Sequence, residues 1–369
     1  MNTSPPHSTA EPRSPRRHGL LRTFRQLAAS LSIGIGIVAV QATAAPLDGL
    51  SYVPADLDNS VLVIDNARNE IIKKIPNVGQ HPIQLKALPD RSKIYVDNFG
   101  LAKWEISVID TATNTIVKRI PTFGAPYATT ALSSDGHFLY FSTSLSVVQV
   151  IDTRLDRVVK TIPVSFLPQG IEISPDDQTL YVFFPSAVRA YNARTGAQVK
   201  PALPVGLVPA WSNRSPDGSK LYGLNFVGGT VAVIDVKAWK VVKRLNMGPL
   251  SYPISGTVSP DGKKLWVANI NAYNLTVIDI ETDTIDRVIP VQNLTAYVGF
   301  SPDGKLAYLS DLGPRTANLN FLARSLFYDI FYLLPPNTPG SITTIDTATG
   351  LRVRPPIVTP GGPLVGVYF

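Results

Sequence analysis

Histidine and carboxylate side chains are the residues of this chain that could carry acid–base chemistry. The 369-residue sequence contains four histidines and no cysteine, and His7 and His18 lie close to its start. Of the remaining two, His81 could act with Glu105 as the base and carboxylate of a lyase or a lactonase. Without cysteine there is no thiolate zinc site, disulfide or covalently attached haem, and so few histidines do not form a multi-histidine cage. We therefore expect no bound metal and no cofactor.

Aspartate recurs at the end of a short apolar run, and a repeated carboxylate could bind calcium or take part in acid–base chemistry. The copies follow one another at intervals of 40 to 45 residues, except for a last interval of 67. Because the carboxylate stands at the same place in every copy, we interpret it as a turn residue that accepts backbone N–H groups. The seven positions are Asp65, Asp110, Asp152, Asn192 (in a degenerate copy), Asp235, Asp279 and Asp346.

A second unit, Ser-Pro-Asp-Gly, repeats in step with the first. Its copies lie at 215–218, 259–262 and 301–304, with variants at 46–49, 88–91, 133–136 and 174–177. Proline suits the second position of a type I turn and glycine the fourth, so each copy should join two strands. Two more strands, the first of them ending in the aspartate, complete the unit. Four antiparallel strands in about 42 residues, repeated seven times, predict an all-β, seven-bladed β-propeller.

The first 44 residues have the features of a secretory signal peptide in the expected order. Residues 1–26 carry five arginines against one acid, 27–40 are apolar, and Ala42-Thr43-Ala44 offers a small-x-small cleavage site. The apolar stretch is short, whereas a stable spanning helix needs about 20 strongly apolar residues, so cleavage after Ala44 is favoured over an anchor. We expect a periplasmic or secreted propeller over 45–369. The general secretory route is favoured, and Arg16-Arg17 leaves the twin-arginine route open.

The charge of the mature chain does not imply a basic binding surface for nucleic acid. Removing the five arginines and one glutamate of the leader from the 34 basic and 27 acidic residues leaves a net charge of +3. The high isoelectric point therefore comes largely from the leader, and we expect no nucleic-acid partner. Membrane contact is likewise not expected once the leader is removed.

The two ends of the mature chain predict how the ring closes. The chain starts inside a turn, at 46–49, so its first blade lacks an inner strand. Residues 363–369, Pro-Leu-Val-Gly-Val-Tyr-Phe, match the stretch that precedes this turn in the other repeats. We therefore predict that residues 364–369 pair into the first blade, which removes an exposed strand edge.

The repeats resemble those of a known family. The segment 259–269, Ser-Pro-Asp-Gly-Lys-Lys-Leu-Trp-Val-Ala-Asn, with Leu-Thr-Val-Ile-Asp at 275–279, is similar to the YVTN family of β-propeller repeats. Residues 111–118, Thr-Ala-Thr-Asn-Thr-Ile-Val-Lys, continue the same consensus. The resemblance covers nearly all of 46–369 and is weakest in the fourth repeat. It implies a propeller in an exported or surface protein, and it implies no catalytic set.

The expected ligand site is the end of the channel where the inter-blade loops meet the loops between second and third strands. Ligands usually bind there in this fold. The loops combine aromatic and amide side chains with few charges, which suits a polar organic ligand or a protein loop. The ligand-binding candidates are His81, Tyr127, Gln169, Trp211, Tyr252, Asn271, Tyr273 and Arg315.

The long last interval places an insertion of about 25 residues in the last blade, within 312–340. Apolar residues at helical spacing over 318–334, with prolines on both sides, predict a helix. A helix apolar nearly all round should be buried against its own ring, a partner chain or a membrane surface, and the scarcity of lysine and arginine disfavours the membrane. The candidate partner contacts are Phe321, Phe327, Phe331 and Tyr332.

These patterns favour an exported propeller that acts as a binding or interaction module, with its ligand or partner at the channel mouth beside the insertion. One alternative is a lyase or lactonase at the same mouth, with His81 and Glu105 as its weak catalytic candidates. The other is an accessory subunit of a periplasmic redox assembly that leaves the cofactor chemistry to another chain.

Overall fold

The computed structural model describes residues 47–100, 102–313 and 339–369. Within these ranges, 28 strands form seven sheets of four antiparallel strands, and each sheet is one blade of a ring. The predicted seven-bladed propeller is therefore confirmed. Among the described residues, no helix is long and apolar enough to cross a membrane.

Each blade runs from the channel outwards, and its strands are numbered in chain order. The first contains β28 (Val367–Tyr368), β1 (Leu50–Ala55), β2 (Ser60–Asp65) and β3 (Glu70–Ile75), with a short 3-10 helix at Asp56–Asp58. The second contains β4 (Pro82–Ala87), β5 (Lys93–Asn98), β6 (Glu105–Asp110) and β7 (Thr115–Pro121). The third contains β8 (Pro126–Leu132), β9 (Phe138–Thr143), β10 (Val147–Asp152) and β11 (Arg157–Pro163). The fourth contains β12 (Ile171–Ile173), β13 (Thr179–Phe183), β14 (Ala187–Asn192) and β15 (Gln198–Pro204).

The remaining three blades follow the same plan. The fifth contains β16 (Pro209–Arg214), β17 (Lys220–Asn225), β18 (Thr230–Asp235) and β19 (Lys240–Asn246). The sixth contains β20 (Pro253–Val258), β21 (Lys264–Asn269), β22 (Asn274–Asp279) and β23 (Thr284–Pro290). The seventh contains β24 (Thr295–Phe300), β25 (Leu306–Asp311), β26 (Gly340–Asp346) and β27 (Ile357–Thr359).

The Ser-Pro-Asp-Gly turns join the inner strand of a blade to its second strand. In the copy at 215–218, the Gly218 N–H donates to the Ser215 carbonyl at 2.9 Å, and the Ser215 hydroxyl donates to Asp217 at 2.6 Å. The copies at 259–262 and 301–304 make the same two bonds. Each turn thus ends an inner strand at the same end of the channel.

The repeated aspartates act as turn residues, as predicted. The carboxylates of Asp110 and Asp279 each accept the backbone N–H of the third residue along, at 2.8 Å, and Asn192 does so at 2.7 Å. This backbone bond is the main reason that the pKa of Asp279 is lowered to about 2. Within the described ranges, no group of three or more histidine and acidic side chains could hold a metal ion.

Neighbouring blades are joined by side chains of the second strands. Lys93 and Tyr95 of β5 both bind Asp156 of the third blade, at 2.6 and 2.5 Å. Lys220 of β17 repeats the arrangement with Asp283 of the sixth blade at 2.8 Å. Because these polar atoms are paired, the blades can pack closely around the channel.

The C-terminal strand closes the ring as predicted. β28 pairs antiparallel with β1, Ser51 opposite Tyr368 and Tyr52 opposite Val367. The Tyr368 ring stacks on Tyr308 of the seventh blade with centroids 4.9 Å apart, and Phe369 packs edge-on against Tyr52 at 5.8 Å. The end of the chain therefore joins the first and last blades.

The insertion leaves the pairing of the seventh blade intact. β25 and β26 stay in register from Leu306 opposite Asp346 to Asp311 opposite Ser341. Gly313 and Pro339 are neighbours, since a Cβ added at Gly313 would lie 2.4 Å from the Pro339 carbonyl oxygen. The predicted helix over 318–334 lies outside the described residues. So do the candidate contacts Phe321, Phe327, Phe331 and Tyr332, and the candidate ligand residue Arg315.

Gly79 is a position where we expect substitution by alanine to destabilise the fold. Its φ is +142°, and a Cβ there would lie 2.2 Å from Cγ of Asn98, a buried side chain that donates to the Val78 carbonyl. We expect Gly79→Ala to lower the free energy of unfolding by roughly 2–4 kcal/mol, measured by urea denaturation. Gly248→Ala is the matched control, because Gly248 also has a positive φ but no atom within 4 Å of the added Cβ. Equal losses in the two variants would contradict the steric explanation.

Candidate functional site

The inner strands of all seven blades surround a central cavity of about 330 Å³. Three charged residues line it: Lys86 of β4, Glu172 of β12 and Arg214 of β16. Two aromatic residues also line it, Trp211 of β16 and Tyr297 of β24. Small residues of the first and sixth blades, among them Gly366 and Gly256, complete the lining. The volume falls at the lower end of the range for small-molecule sites.

The charged and aromatic residues lie at two different depths. Lys86 and Glu172 both stand two residues before the turn that ends their inner strand, whereas Trp211 and Tyr297 stand four residues before it. Residues two apart in a strand point to the same side and lie about 7 Å apart along it. The channel therefore has an aromatic level and, one step nearer the turns, a charged level.

Lys86 presents its ammonium group to the cavity without a direct protein partner. Among the described residues it has no hydrogen bond and no carboxylate oxygen within 4.0 Å of Nζ. Its pKa is lowered, chiefly by burial, although Glu172 and Asp97 are near enough to act in the opposite direction. The structure thus leaves a cation in an enclosed site with its charge only partly compensated.

Glu172 lies at the charged level with a single weak hydrogen bond. The Ser212 hydroxyl donates to its Oε1 at 3.3 Å. Burial raises the pKa of Glu172 to about 7, against the opposing influence of Lys86, Arg214 and Ser212. Near neutral pH this carboxyl group therefore exists in both protonation states.

Asp97 of β5 lies behind the channel wall. It is 4% exposed, and its Oδ1 has no hydrogen-bond partner in the described part of the chain. Gln84 stands opposite it across the β4–β5 ladder, with Oε1 also buried and unpartnered there. Burial raises the pKa of Asp97 to about 8, with Lys86 opposing. Burial thus disfavours the ionised forms of both acids near Lys86.

The aromatic level is fixed by the fifth, sixth and seventh blades. The Trp211 indole N–H donates to the Gly256 carbonyl at 3.1 Å, which fixes the orientation of the ring. The Trp211 and Tyr297 ring centroids are 6.3 Å apart with planes inclined at 50°. Burial raises the pKa of Tyr297, so its hydroxyl stays neutral. Together the two rings form an apolar wall on one side of the cavity.

His81 does not pair with Glu105, which corrects the expected acid–base pair. Nδ1 of His81 lies 2.9 Å from Asp56 Oδ1, and this hydrogen bond raises the pKa of His81. Glu105 is buried and already bound by Arg119 at 2.6 Å and by Lys103 at 2.8 Å. Because two cations compensate Glu105, it is not available to His81. Neither His81 nor Glu105 lines the central cavity.

Two loop candidates on the third-blade side serve to hold loops together. Tyr127 packs against Phe99 with ring centroids 5.3 Å apart, and its carbonyl accepts the Ser142 hydroxyl at 2.6 Å. Gln169 is buried, and its backbone N–H donates to the Phe183 carbonyl at 2.7 Å. Neither residue lines the cavity.

The candidates of the sixth blade belong to one packed group at the mouth. Tyr252 stacks on Phe226 at 4.5 Å, and Tyr273 packs in the same apolar cluster. Asn271 is buried and donates to the Leu250 carbonyl at 2.8 Å. Of the described ligand-binding candidates, Trp211 alone lines the cavity.

Apolar side chains are exposed along one sector of the predicted mouth, from the second to the fifth blade. They stand on inter-blade loops or on loops between second and third strands, which meet at the same end. Five of these loops, 121–126, 143–147, 163–170, 204–209 and 225–230, contain no charged residue. We call these exposed side chains the apolar rim; they are Trp104, Phe123, Leu145, Phe166, Leu207 and Val227.

Sequence reasoning missed Lys86, Glu172 and Arg214, although the pattern contains a usable sign for Lys86 and Glu172. The position two residues before the turn holds an uncharged residue in the other repeats that carry this turn, such as Ala131 and Thr257. A charge at that position, inside a strand expected to line a narrow channel, marks a polar site rather than packing.

Comparison with known proteins identifies the fold and no family. No protein-family model matches the chain, and no curated protein matches it. Hydrazine synthase of Kuenenia stuttgartiensis is similar in structure, with a TM-score of 0.57 and 21% identity over 73% of this chain and 78% of that one. Dihydro-heme d1 dehydrogenase NirN in complex with DHE gives 0.63 and 16% over 88% and 75%. A protein of unknown function from Desulfotomaculum acetoxidans gives 0.69 and 14% over 85% and 98%. At these identities the likeness shows the propeller fold alone.

Proposed function

We propose that this protein is an exported β-propeller of the YVTN-repeat type that binds a small polar organic molecule in its central channel. The proposed site extends inward from the mouth that the sequence indicated, to the level of Lys86 and Glu172. The observation that carries the proposal is the ammonium group of Lys86, which faces a cavity of about 330 Å³ without a direct partner among the described residues.

The energetics of buried charge support a ligand at this place. Placing an ammonium group inside a protein costs free energy unless it is paired and hydrogen-bonded. The nearby polar atoms Gln84 Oε1 and Asn213 Oδ1 are also buried without partners in the described part of the chain. A site that holds several uncompensated polar groups around a cavity is typical of binding rather than of packing.

Export is the second part of the proposal. It is supported by the basic, apolar and small-x-small order of residues 1–44, which predicts a signal peptide. The periplasm or the extracellular medium would then supply the ligand.

Native mass spectrometry of the mature protein, purified gently from its own host, tests the proposed binding. We expect a small-mass adduct on the wild-type chain and its loss in Lys86→Met. Lys118→Met is the matched control, because Lys118 is exposed on the outer strand β7, and it should keep the adduct. A bare protein mass in the wild type, or an adduct that survives in Lys86→Met, would contradict the proposal.

Docking of a partner protein is a second candidate function, and the apolar rim favours it. Exposed apolar side chains grouped on one face commonly mark protein contacts, and the lack of charge in five of the loops suits an apolar, uncharged partner surface. Two structural neighbours are named as redox enzymes, hydrazine synthase and dihydro-heme d1 dehydrogenase. A redox assembly is therefore the first kind of complex to look for. We expect a complex in native extracts that dissociates in Phe166→Ser/Leu207→Ser. Elution of the wild-type chain as a lone monomer at physiological concentration would remove this candidate.

A further inference from the structure

We propose that the channel selects an aromatic carboxylate, whose anionic group contacts Lys86 while its ring packs against Trp211 and Tyr297. This inference rests on the proposed binding function and names the class of ligand for the same cavity. It follows from three features: the positive charge of Lys86 at the charged level, the two rings at the aromatic level and the distance between these levels.

The charged level favours an anion over a cation. Lys86 and Arg214 contribute positive charge, whereas Glu172 and Asp97 are held largely or partly protonated by burial around neutral pH. The Arg214 guanidinium already donates from Nη1 to two backbone carbonyls, of Ser215 and Pro216, at 3.0 Å each. Arg214 keeps a buried Nε without a partner in the described part of the chain, whereas all three donors of the Lys86 ammonium group are free there. A carboxylate would therefore receive charge-assisted hydrogen bonds chiefly from Lys86.

The aromatic level favours a planar apolar group. Trp211 and Tyr297 lie on the fifth and seventh blades, and between them the sixth blade contributes Gly256 to the lining. A flat ring that lies beside Trp211 and Tyr297 can make offset or edge contacts with both aromatic side chains. An aliphatic chain would fill the space without these contacts.

The size of the cavity and the separation of its levels limit the length of the ligand. The two levels are about 7 Å apart along the strands. A benzene ring joined to a carboxylate by a two-carbon link covers a comparable distance, and such a molecule fits within about 330 Å³. Larger polycyclic acids would have to extend beyond the cavity.

Binding of an anion at this place should take up protons from solution. Glu172 faces Lys86, Arg214 and Ser212, and Asp97 faces Lys86. A carboxylate added among these groups favours the protonated form of both acids and the charged form of Lys86, so every shift has the same sign. A cationic ligand would release protons instead.

Isothermal titration calorimetry of the mature protein with four probes tests the inference. The probes are 3-phenylpropanoate, 3-phenylpropan-1-ol, 3-phenylpropylamine and propanoate, which vary the charge and the ring separately. We expect 3-phenylpropanoate to bind at least about tenfold more tightly than each of the others. The preference over the alcohol should disappear in Lys86→Met, and the preference over propanoate should shrink in Trp211→Leu. Titrations near pH 7 in two buffers of different ionisation enthalpy should show net proton uptake by the wild-type chain.

The outcomes separate this inference from the function on which it rests. Tighter binding of the amine or the alcohol, proton release, or no binding of any probe at millimolar concentration would overturn the aromatic carboxylate class. An adduct on the host-purified protein would still support a channel ligand in each of those cases. Circular dichroism and melting temperature show whether each variant is folded, and Lys86→Gln replaces Lys86→Met if the latter is not.

Discussion

Removal of residues 364–369 should leave a chain that is insoluble or that melts far below the intact protein. The deletion takes away β28, so β1 becomes an exposed inner edge, and it removes the buried side chains of Leu364 and Phe369 and the ring of Tyr368. Truncating one large buried apolar side chain costs about 2–5 kcal/mol, and a domain has about 5–15 kcal/mol in all. Differential scanning calorimetry and the soluble yield are the measurements.

A point variant separates closure from the loss of one hydroxyl group. Tyr368→Phe keeps the stacking on Tyr308, whose ring lies 4.9 Å away, and should fold with a melting temperature close to that of the wild type. Tyr368→Ala should fall between Tyr368→Phe and the deletion. A soluble deletion variant as stable as the intact chain would show that the ring does not depend on its last strand.

The free energy of unfolding should fall as the pH rises from about 5 to about 8. The pKa of Asp97 is raised from 3.8 to about 8 and that of Glu172 from 4.5 to about 7. Between these values the two acids hold more protons in the folded chain than in the unfolded chain, so their titration favours unfolding as the pH rises. The lowered pKa of Lys86 acts in the opposite direction and reduces the fall. One pKa unit corresponds to about 1.4 kcal/mol, and we expect a total fall of roughly 3 kcal/mol because water in the channel reduces the full effect. Urea denaturation across this pH range is the measurement.

Asp97→Asn isolates the contribution of the more deeply buried acid. Asparagine has the shape of the acid and cannot ionise, so this variant should match the wild type near pH 5 and exceed it in stability near pH 8. Asp303→Asn is the control, because Asp303 lies in an exposed turn and its pKa is lowered rather than raised. Parallel pH profiles for Asp97→Asn and the wild type would contradict the burial of an ionisable Asp97.

Most of the fold could be predicted because the same turn and strand pattern recurs in all seven repeats. The turn at 215–218 and the aspartate at 279 each recur at a constant spacing, and their hydrogen bonds are local. Closure by residues 364–369 could be predicted because those residues match a strand missing from the first repeat. Pairing of blades by Lys93 and Asp156 could not, because that contact depends on how twisted sheets pack.

The site was predicted less well because its residues were expected on the loops at the mouth, whereas the inner strands line the cavity. Tyr252 and Asn271 do lie at the mouth, but they hold neighbouring residues there. His81 pairs with Asp56 and Glu105 pairs with Arg119, and both partners come from other segments of the chain. Long-range electrostatic pairing of this kind leaves no periodic pattern in a sequence. Lys86 was detectable from the repeats, because it places a charge where other repeats have an uncharged residue.

A crystal structure of the protein purified from its own host would test the central claim most directly. We predict electron density for an organic molecule in the channel, in contact with Lys86 Nζ and bordered by Trp211 and Tyr297. Density for ordered water alone along the whole channel, with any co-purified molecule bound elsewhere, would contradict this claim.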